Sequence, residues 1–351
     1  MSALLPILER QIALDGPLSV ADYMAICLQH PEHGYYITRD PFGAAGDFTT
    51  APEISQMFGE MLGLALAQVW MDQGAGPMVL AELGPGRGTL MADILRVTAA
   101  VPGFHAAMDV HLVETSPVLR ARQRETLAGR AVTWCDVVAD LPAGPLLLVA
   151  NEFFDALPIR QFVRGRLGWL ERRIGWSDGH LAFGLGAEAP QATLDTLFAG
   201  VAEGTLVEWC PVAAPIMAEI SGRLAKGGAA IIIDYGSADG TGDTLQALRS
   251  NAMVDPLATP GEADLTAHVN FGHLAWAAGL PSTLEDQGAF LELLGITARA
   301  RQLAARDPTA AAAAHRRLTH PEEMGTLFKV LGMSARPGPL PGFRNLATRD
   351  T

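Results

Sequence analysis

With 351 residues, 49% of them hydrophobic and 18% charged, the chain can bury a sizeable core and is too apolar to be disordered. That length admits one large domain or a core with an elaborate insertion. The formal net charge of −13 argues against general nucleic-acid binding, which needs a basic footprint, and no run of about 18 apolar residues appears that would span a bilayer. The N-terminus carries Glu9 and Asp15 and lacks both an apolar signal core and an Arg/Ser-rich transit composition, so a cytoplasmic protein is expected. Cys27, Cys135 and Cys210 lie far apart with no CxxC pair, and the nine histidines form no HExxH pattern. Reduced thiols and no metal centre are expected.

Taken in chain order, Ala3 to Leu14 has helical spacing at Leu4, Leu5, Leu8 and Ile12. Ser19 is a good N-cap for a second helix through Val20 to Met24. A stretch rich in Gly, Pro and aromatics follows, from His33 to Thr50, and Pro52 is expected to start a helix through Met57, Leu62, Leu66 and Trp70. From Met78 an alternating βα rhythm begins. Strands are expected at Met78 to Leu83, Asp109 to Val113, Val132 to Cys135, Leu146 to Ala150 and Ala229 to Asp234, which is the pattern of a parallel, doubly wound sheet. After Pro158 the rhythm breaks. Ile159 to Val163, Gly168 to Ile174 and His180 to Gly184 read as an antiparallel meander with turns at Arg164-Gly165 and Asp178-Gly179. A helix from Pro215 to Leu224 should stop at Gly227-Gly228. Ser237 to Asp264 reads as loop-rich. Helices are expected at Phe271 to Ala278 and Gly288 to Leu294, and a late strand at Leu327 to Leu331.

The chemistry gathers at strand ends. Glu82-Leu83-Gly84-Pro85-Gly86-Arg87-Gly88 closes the first strand of the rhythm and opens a helix. Gly84, Gly86 and Gly88 let backbone turn sharply and approach a ligand. Nicotinamide and flavin sites use a similar loop, but two details favour S-adenosylmethionine. Glu82 is placed to accept a hydrogen bond from that cofactor's α-amino group. Moreover, Gly88-Thr89-Leu90 replaces the third glycine of the dinucleotide fingerprint. Glu114 ends the second strand, where an acid can chelate two ribose hydroxyls. It lies about thirty residues after the glycines, against ~20 in the dinucleotide pattern. Asp136, after the third strand, is a candidate for the adenine amino group, with plain solvation as the alternative.

The end of the fourth strand carries Asn151-Glu152-Phe153-Phe154-Asp155-Ala156-Leu157-Pro158. Methyl transfer from a sulfonium is an in-line displacement in which positioning supplies much of the catalysis. If the acceptor is a guanidinium, carboxylates must orient it and spread its charge, because its pKa is too high for prior deprotonation. Glu152 and Asp155 have that chemistry, with Asn151 as a polar positioner at the cofactor or the acceptor; Asp155 also reads as a helix cap. Asp234 and Tyr235, ending the fifth strand, are candidates to close the same crevice. Asp47 and Glu53 lie in the breaker-rich segment, a candidate lid over the cofactor. His268 is the histidine best placed to matter. The acidic chain would suit a basic substrate, although solubility alone accounts for acidity equally well.

Longer runs carry a resemblance. Pro41-Phe42-Gly43 with Gly46 to Glu60, Glu82 to Thr89, Asn151 to Pro158, Ile233 to Gly236, Asp243 to Ala247, Asp264 to Val269 and Met324 to Leu331 together resemble the MidA family of methyltransferases, whose mitochondrial member is an assembly factor for respiratory complex I. The resemblance implies an α/β fold with a seven-stranded Rossmann-like class I methyltransferase sheet, an N-terminal helical extension and an inserted β-rich subdomain. The corresponding layout is helices and lid at 1–75, the first half of the core at 76–158, an insertion at 159–205 and the second half at 206–351. It implies S-adenosyl-L-methionine as cofactor and a protein as partner. By analogy with the mitochondrial member, the reaction would dimethylate an arginine on the complex I subunit related to the large subunit of hydrogenases. Two positions depart from the family's pattern: Asn251, near where a histidine is expected, and Asn270, where an aspartate is expected. A cofactor-binding assembly chaperone that needs no turnover is the alternative from another class, and a nicotinamide oxidoreductase is a third.

Overall fold

The apolar runs foreseen from Met78 onward become strands of one sheet. Met78–Leu83 (β1) and Leu146–Asn151 (β4) are buried along their whole length, as central strands covered on both faces must be. Met108–Val113 (β2), Thr133–Cys135 (β3) and Gly228–Ser237 (β5) continue the parallel run, and Ser282–Asp286 (β6) and Phe328–Met333 (β7) extend the sheet beyond β5. These strands pair in the order β6-β7-β5-β4-β1-β2-β3. β1 pairs in parallel with β2 and β4, β2 with β3 and β4 with β5, while β7 runs antiparallel to both β5 and β6.

This computed structural model describes residues 2–38 and 49–344. The chain forms two compact units. The sheet unit comprises Thr49–Phe153, Pro215–Gly236 and Ala275–Thr351; the other, here the N-terminal unit, comprises Met1–Phe48, Phe154–Ala214 and Ser237–Leu274.

In the sheet unit the helix expected from Pro52 is two helices. Ala51–Ile54 stops at Ser55, which is extended (φ −165°) and turns its side chain to accept the amide of Met57. Gln56–Asp72 (α1) then starts afresh. Buried on nearly every side, from Met57 to Trp70, it packs against Thr89–Thr98 (α2), the helix opened by the glycine loop. Gly59 and Gly63 make the crossing close. A Cβ on Gly59 would stand 2.6 Å from the Cβ of Asp93, and one on Gly63 would stand 2.7 Å from Val97 and 3.0 Å from the Ile94 backbone. β6 and the helices Ile296–Leu303 and Pro308–Thr319 were not foreseen; the last two are rich in Ala and Arg and carry few apolar residues to betray a period.

The N-terminal unit holds the expected first helices, Leu5–Asp15 and Val20–Gln29. The second is closed by a capping box in which Ser19 and Asp22 exchange hydrogen bonds. The meander is present as Arg160–Arg164, Trp169–Ser177 and His180–Ala189, antiparallel throughout, with Asp178 (φ 50°) and Gly179 (φ 81°) forming a two-residue turn. The segment read as loop contains a further hairpin, Gln246–Arg249 with Ala252–Val254, and Asp264–Thr266 pairs on its other side. Short strands of three and four residues lack room for a visible alternation.

The tight α1–α2 crossing generates the first prediction. Replacing Gly63 by Leu should cost about 1–3 kcal/mol through overpacking, despite the better helix propensity of leucine. Chemical denaturation of the two proteins measures it; unchanged stability would contradict the close approach.

Candidate functional site

In the sheet order, β1 has β2 on one side and β4 on the other, so successive connections run in opposite directions from this point. Such a reversal opens a crevice beyond the carboxyl ends of the strands, where α/β sheets hold their ligands. The residues singled out in the sequence lie along that edge: Glu82 and the glycines after β1, Glu114 after β2, Asp136 after β3, Asn151 and Glu152 at β4, and Asp234 in β5.

The glycine loop needs its glycines. Gly84 (φ 60°), Gly86 (φ 53°) and Gly88 (φ 82°) all lie in the left-handed region, and a Cβ on Gly84 would stand 2.9 Å from the ring of Phe153. Gly88 is the N-cap of α2 and brings no side chain to cap it. That role falls to Glu82, whose carboxylate accepts the amide of Met91 in the first turn. Its other oxygen, Oε2, is buried with no hydrogen-bond partner among the described residues. Burial pushes the Glu82 carboxyl up to about 8, against the lowering effect of the Met91 amide. A cationic ammonium is the ligand such an oxygen lacks.

Glu114 is also buried. Its Oε1 accepts the amide of Ser116 at 2.7 Å and its Oε2 accepts Gln123 Nε2 at 3.2 Å. Burial raises its carboxyl above the ordinary range while these donors and the Arg120 guanidinium pull the other way. The Thr115 amide acts on the same carboxylate, and a carboxylate fixed in this way at a strand end suits a pair of vicinal hydroxyls. Asp136 is exposed and ion-paired with Arg120 at 2.7 Å. Arg120 also donates to the backbone oxygens of Glu114 and Cys135. The sequence reading passed over both Arg120 and Gln123, since nothing in a charged helix marks the residues that turn inward.

At the end of β4, Glu152 adopts φ 54°, a conformation rarely tolerated outside glycine and found where a site holds a side chain in place. Its amide donates to Ile233 of β5, and its Oε1 accepts the amide of Ala51 at 3.2 Å and Asn151 Nδ2 at 2.9 Å. The Asn151 side-chain oxygen is buried without a partner among the described residues. Glu53 accepts the hydroxyl of Thr89 at 2.5 Å, which ties the helix before α1 to the start of α2. Asp234 is fully buried, and its carboxylate accepts the amide of Tyr235 at 3.0 Å. Asp47 lies outside the described residues.

Asp155 and His268 belong to the N-terminal unit. There Asp155 is buried and its backbone oxygen accepts the amide of Ala267 at 2.9 Å. The His268 amide donates to the Thr244 hydroxyl, which itself donates to the buried carboxylate of Glu208. Burial lowers the pKa of His268, favouring neutral imidazole. Among the described residues no cluster of His, Cys, Asp or Glu could hold a metal ion, and no helix is long and apolar enough to cross a membrane.

An acid with an unmet oxygen, a second acid with both oxygens fixed, and a loop with three left-handed glycines fit the ammonium, ribose and backbone-approach needs of S-adenosylmethionine. Comparison with known proteins agrees. Residues 61–289 match the family described as "Putative S-adenosyl-L-methionine-dependent methyltransferase". "Protein arginine methyltransferase NDUFAF7, mitochondrial" from Danio rerio is 38% identical over 361 residues, covering 92% of this chain and 84% of the relative. The Homo sapiens protein of the same name is 38% identical over 327 residues, covering 84% and 73%. A Burkholderia thailandensis protein described as a "likely methyl transferase", crystallised with S-adenosyl-homocysteine, has a TM-score of 0.86 at 33% identity over 97% of this chain and 94% of its own. The names of the relatives place them in mitochondria, which corrects the cytoplasmic expectation drawn from the N-terminal composition.

The Glu82 shift sets a pH dependence. Between its ordinary value of 4.5 and about 8, the folded protein keeps a proton that the unfolded chain has released. This group's contribution to stability is therefore full below 4.5, falls across that interval and is gone above about 8. Glu82→Gln should remove that fall, so the ligand-free variant gains in melting temperature over wild type at high pH. Melts across the interval check it; parallel curves would contradict the buried, unmet oxygen.

Proposed function

This chain belongs to the S-adenosyl-L-methionine-dependent methyltransferase family, and from that premise we propose that it methylates an arginine side chain of a protein. The names and extensive coverage of the NDUFAF7 relatives support the arginine. The MidA resemblance extends the proposal to the complex I subunit related to the hydrogenase large subunit, with support of its assembly as the outcome. On the same reading the seven-strand path is the class I methyltransferase sheet, 1–75 are helices and lid, 76–158 and 206–351 are the two halves of the core, and 159–205 are an insertion.

The observation that carries the mechanism is the strained Glu152 beside Asn151. S-adenosylmethionine would supply an electrophilic methyl group: its carbon–sulfur bond would break as the carbon–nitrogen bond forms, leaving S-adenosyl-homocysteine, and the proton lost by the methylated guanidinium nitrogen would pass to solvent. Glu82 binds the ammonium of the donor, Glu114 its ribose hydroxyls, and the loop from Gly84 to Gly88 admits its backbone-length approach. Asp136 is assigned to the adenine side of the site, within reach of Arg120. Glu152 is the acid for the acceptor. Its Oε1 is occupied by Ala51 and Asn151, so the carboxylate is held in one orientation before the acceptor arrives. That orientation draws positive charge toward one end of a guanidinium and leaves the nitrogen at the other end the better nucleophile. Asp234 supports this edge from β5.

Intact-mass measurement of the candidate subunit, incubated with enzyme and S-adenosylmethionine, tests the reading. Methyl increments mapped to arginine are expected. Glu152→Gln should lower turnover by about a hundredfold while leaving S-adenosyl-homocysteine affinity nearly unchanged, because the loss is of acceptor orientation. Cofactor binding with no methyl mark on any arginine, and full complex assembly by the Glu152 variant in cells, would instead favour the chaperone.

A further inference from the structure

Gln123 is wholly buried on Pro117–Thr126 (α3), four residues after Leu119, the only other buried residue of that helix. The other positions are exposed except Arg120, which is half-buried and donates to the backbone at the ends of β2 and β3, so Leu119 and Gln123 are the two side chains of α3 that are buried. A core position of this kind ordinarily takes leucine, since a buried amide is costly unless its hydrogen bonds are met. Here both amide hydrogens and the amide oxygen are engaged. One Nε2 hydrogen goes to the Gly86 carbonyl at 2.8 Å, the other to Glu114 Oε2 at 3.2 Å, and Oε1 accepts the indole Nε1 of Trp134 at 2.8 Å. The indole is a donor only, so it fixes which end of the amide faces which partner.

Those partners lie on three different segments: the glycine loop after β1, the end of β2, and β3. A Cβ on Gly88 would stand 3.5 Å from the Cα of Gln123, so the helix rests directly on the loop. We propose that Gln123 is a positioning residue for the methyl donor, setting the spacing between the glycine loop and the Glu114 carboxylate that a bound ribose requires. The proposal rests on the reading that this loop and Glu114 hold S-adenosylmethionine. With Oε1 held by Ser116 and Oε2 by Gln123, the Glu114 carboxylate cannot rotate about its last bond, and the order a ligand would otherwise impose is already present. No other side chain of this length offers two donors and an acceptor. Leucine would leave the Gly86 carbonyl and Glu114 oxygen without this donor, and glutamate would set a second carboxylate against the first.

Titration of S-adenosyl-homocysteine by calorimetry decides the matter, with melting curves run alongside. Gln123→Leu should weaken binding about tenfold to a hundredfold. Placed in a Glu114→Ala background it should add less than about threefold, because most of its effect passes through Glu114. Gln123→Glu keeps the size and the acceptor for Trp134. Its deficit should be largest near about pH 8 and shrink toward about pH 6 as the facing carboxylates come to share a proton, a recovery wild type does not show. Affinities equal to wild type in both variants overturn the proposal, as does a full additional loss in the double variant. If Gln123→Leu does not fold, the pH profile of Gln123→Glu decides: a pH-independent deficit overturns the proposal. Absence of binding by wild type would overturn the cofactor reading instead.

Discussion

Glu82 carries one carboxylate oxygen that nothing among the described residues satisfies, and much of the sheet unit is arranged around that deficit. The strand that bears it is buried along its whole length and flanked by β2 and β4, and the Glu82 side chain is buried with it. The first turn of α2 supplies one donor, the Met91 amide, and Gly88 leaves the helix start without a capping side chain that would compete for it. A buried acid left half satisfied is tolerated in a ligand-free fold mainly by staying protonated, and the upward displacement of its pKa expresses that. A cationic ligand reverses the preference. The deficit is thus better understood as reserved for a partner than as a flaw in packing.

The same economy recurs along the strand ends. At β2 both oxygens of Glu114 are held by donors, the Ser116 amide and the Gln123 side chain. At β4 the chain accepts a strained φ at Glu152 so that its carboxylate meets the Ala51 amide and the Asn151 side chain together. Relaxing Glu152 into an ordinary conformation would swing the side chain off both donors. Rigid elements behind these residues make such arrangements possible: the close α1–α2 crossing at Gly59 and Gly63 holds the helix of the glycine loop, and α3 rests on that loop through Gln123.

What the sequence disclosed follows from the physics of each element. Central strands were legible because burial on both faces produces continuous apolar runs, and the glycine loop because three left-handed positions leave little choice of residue. The acids at strand ends were found for a related reason: a charged residue terminating an apolar run is a local signal. Short hairpins such as Gln246–Arg249 with Ala252–Val254, and helices with mostly small or charged residues, gave no period to detect. Gln123 was hidden more deeply. Its importance is a matter of three partners 9, 11 and 37 residues away in the chain, and no spacing rule brings those together.

The two departures from the family pattern gain a meaning from structure that the sequence did not offer. Ser250 (φ 52°) and Asn251 (φ 59°) are the central pair of a two-residue hairpin turn, where left-handed φ is demanded twice and asparagine is among the residues that tolerate it best. Asn270 stands immediately before the helix Phe271–Ala278, and its side-chain oxygen accepts the amide of His273 at 2.9 Å, the bond an N-cap aspartate would make equally well. At the first position the backbone geometry selects for the residue present; at the second the cap keeps its acceptor and loses only a charge. Each substitution therefore has a local role that preserves the fold of the N-terminal unit. Neither one alters Glu82, Glu114 or Glu152, the acids proposed to hold the donor and orient the acceptor.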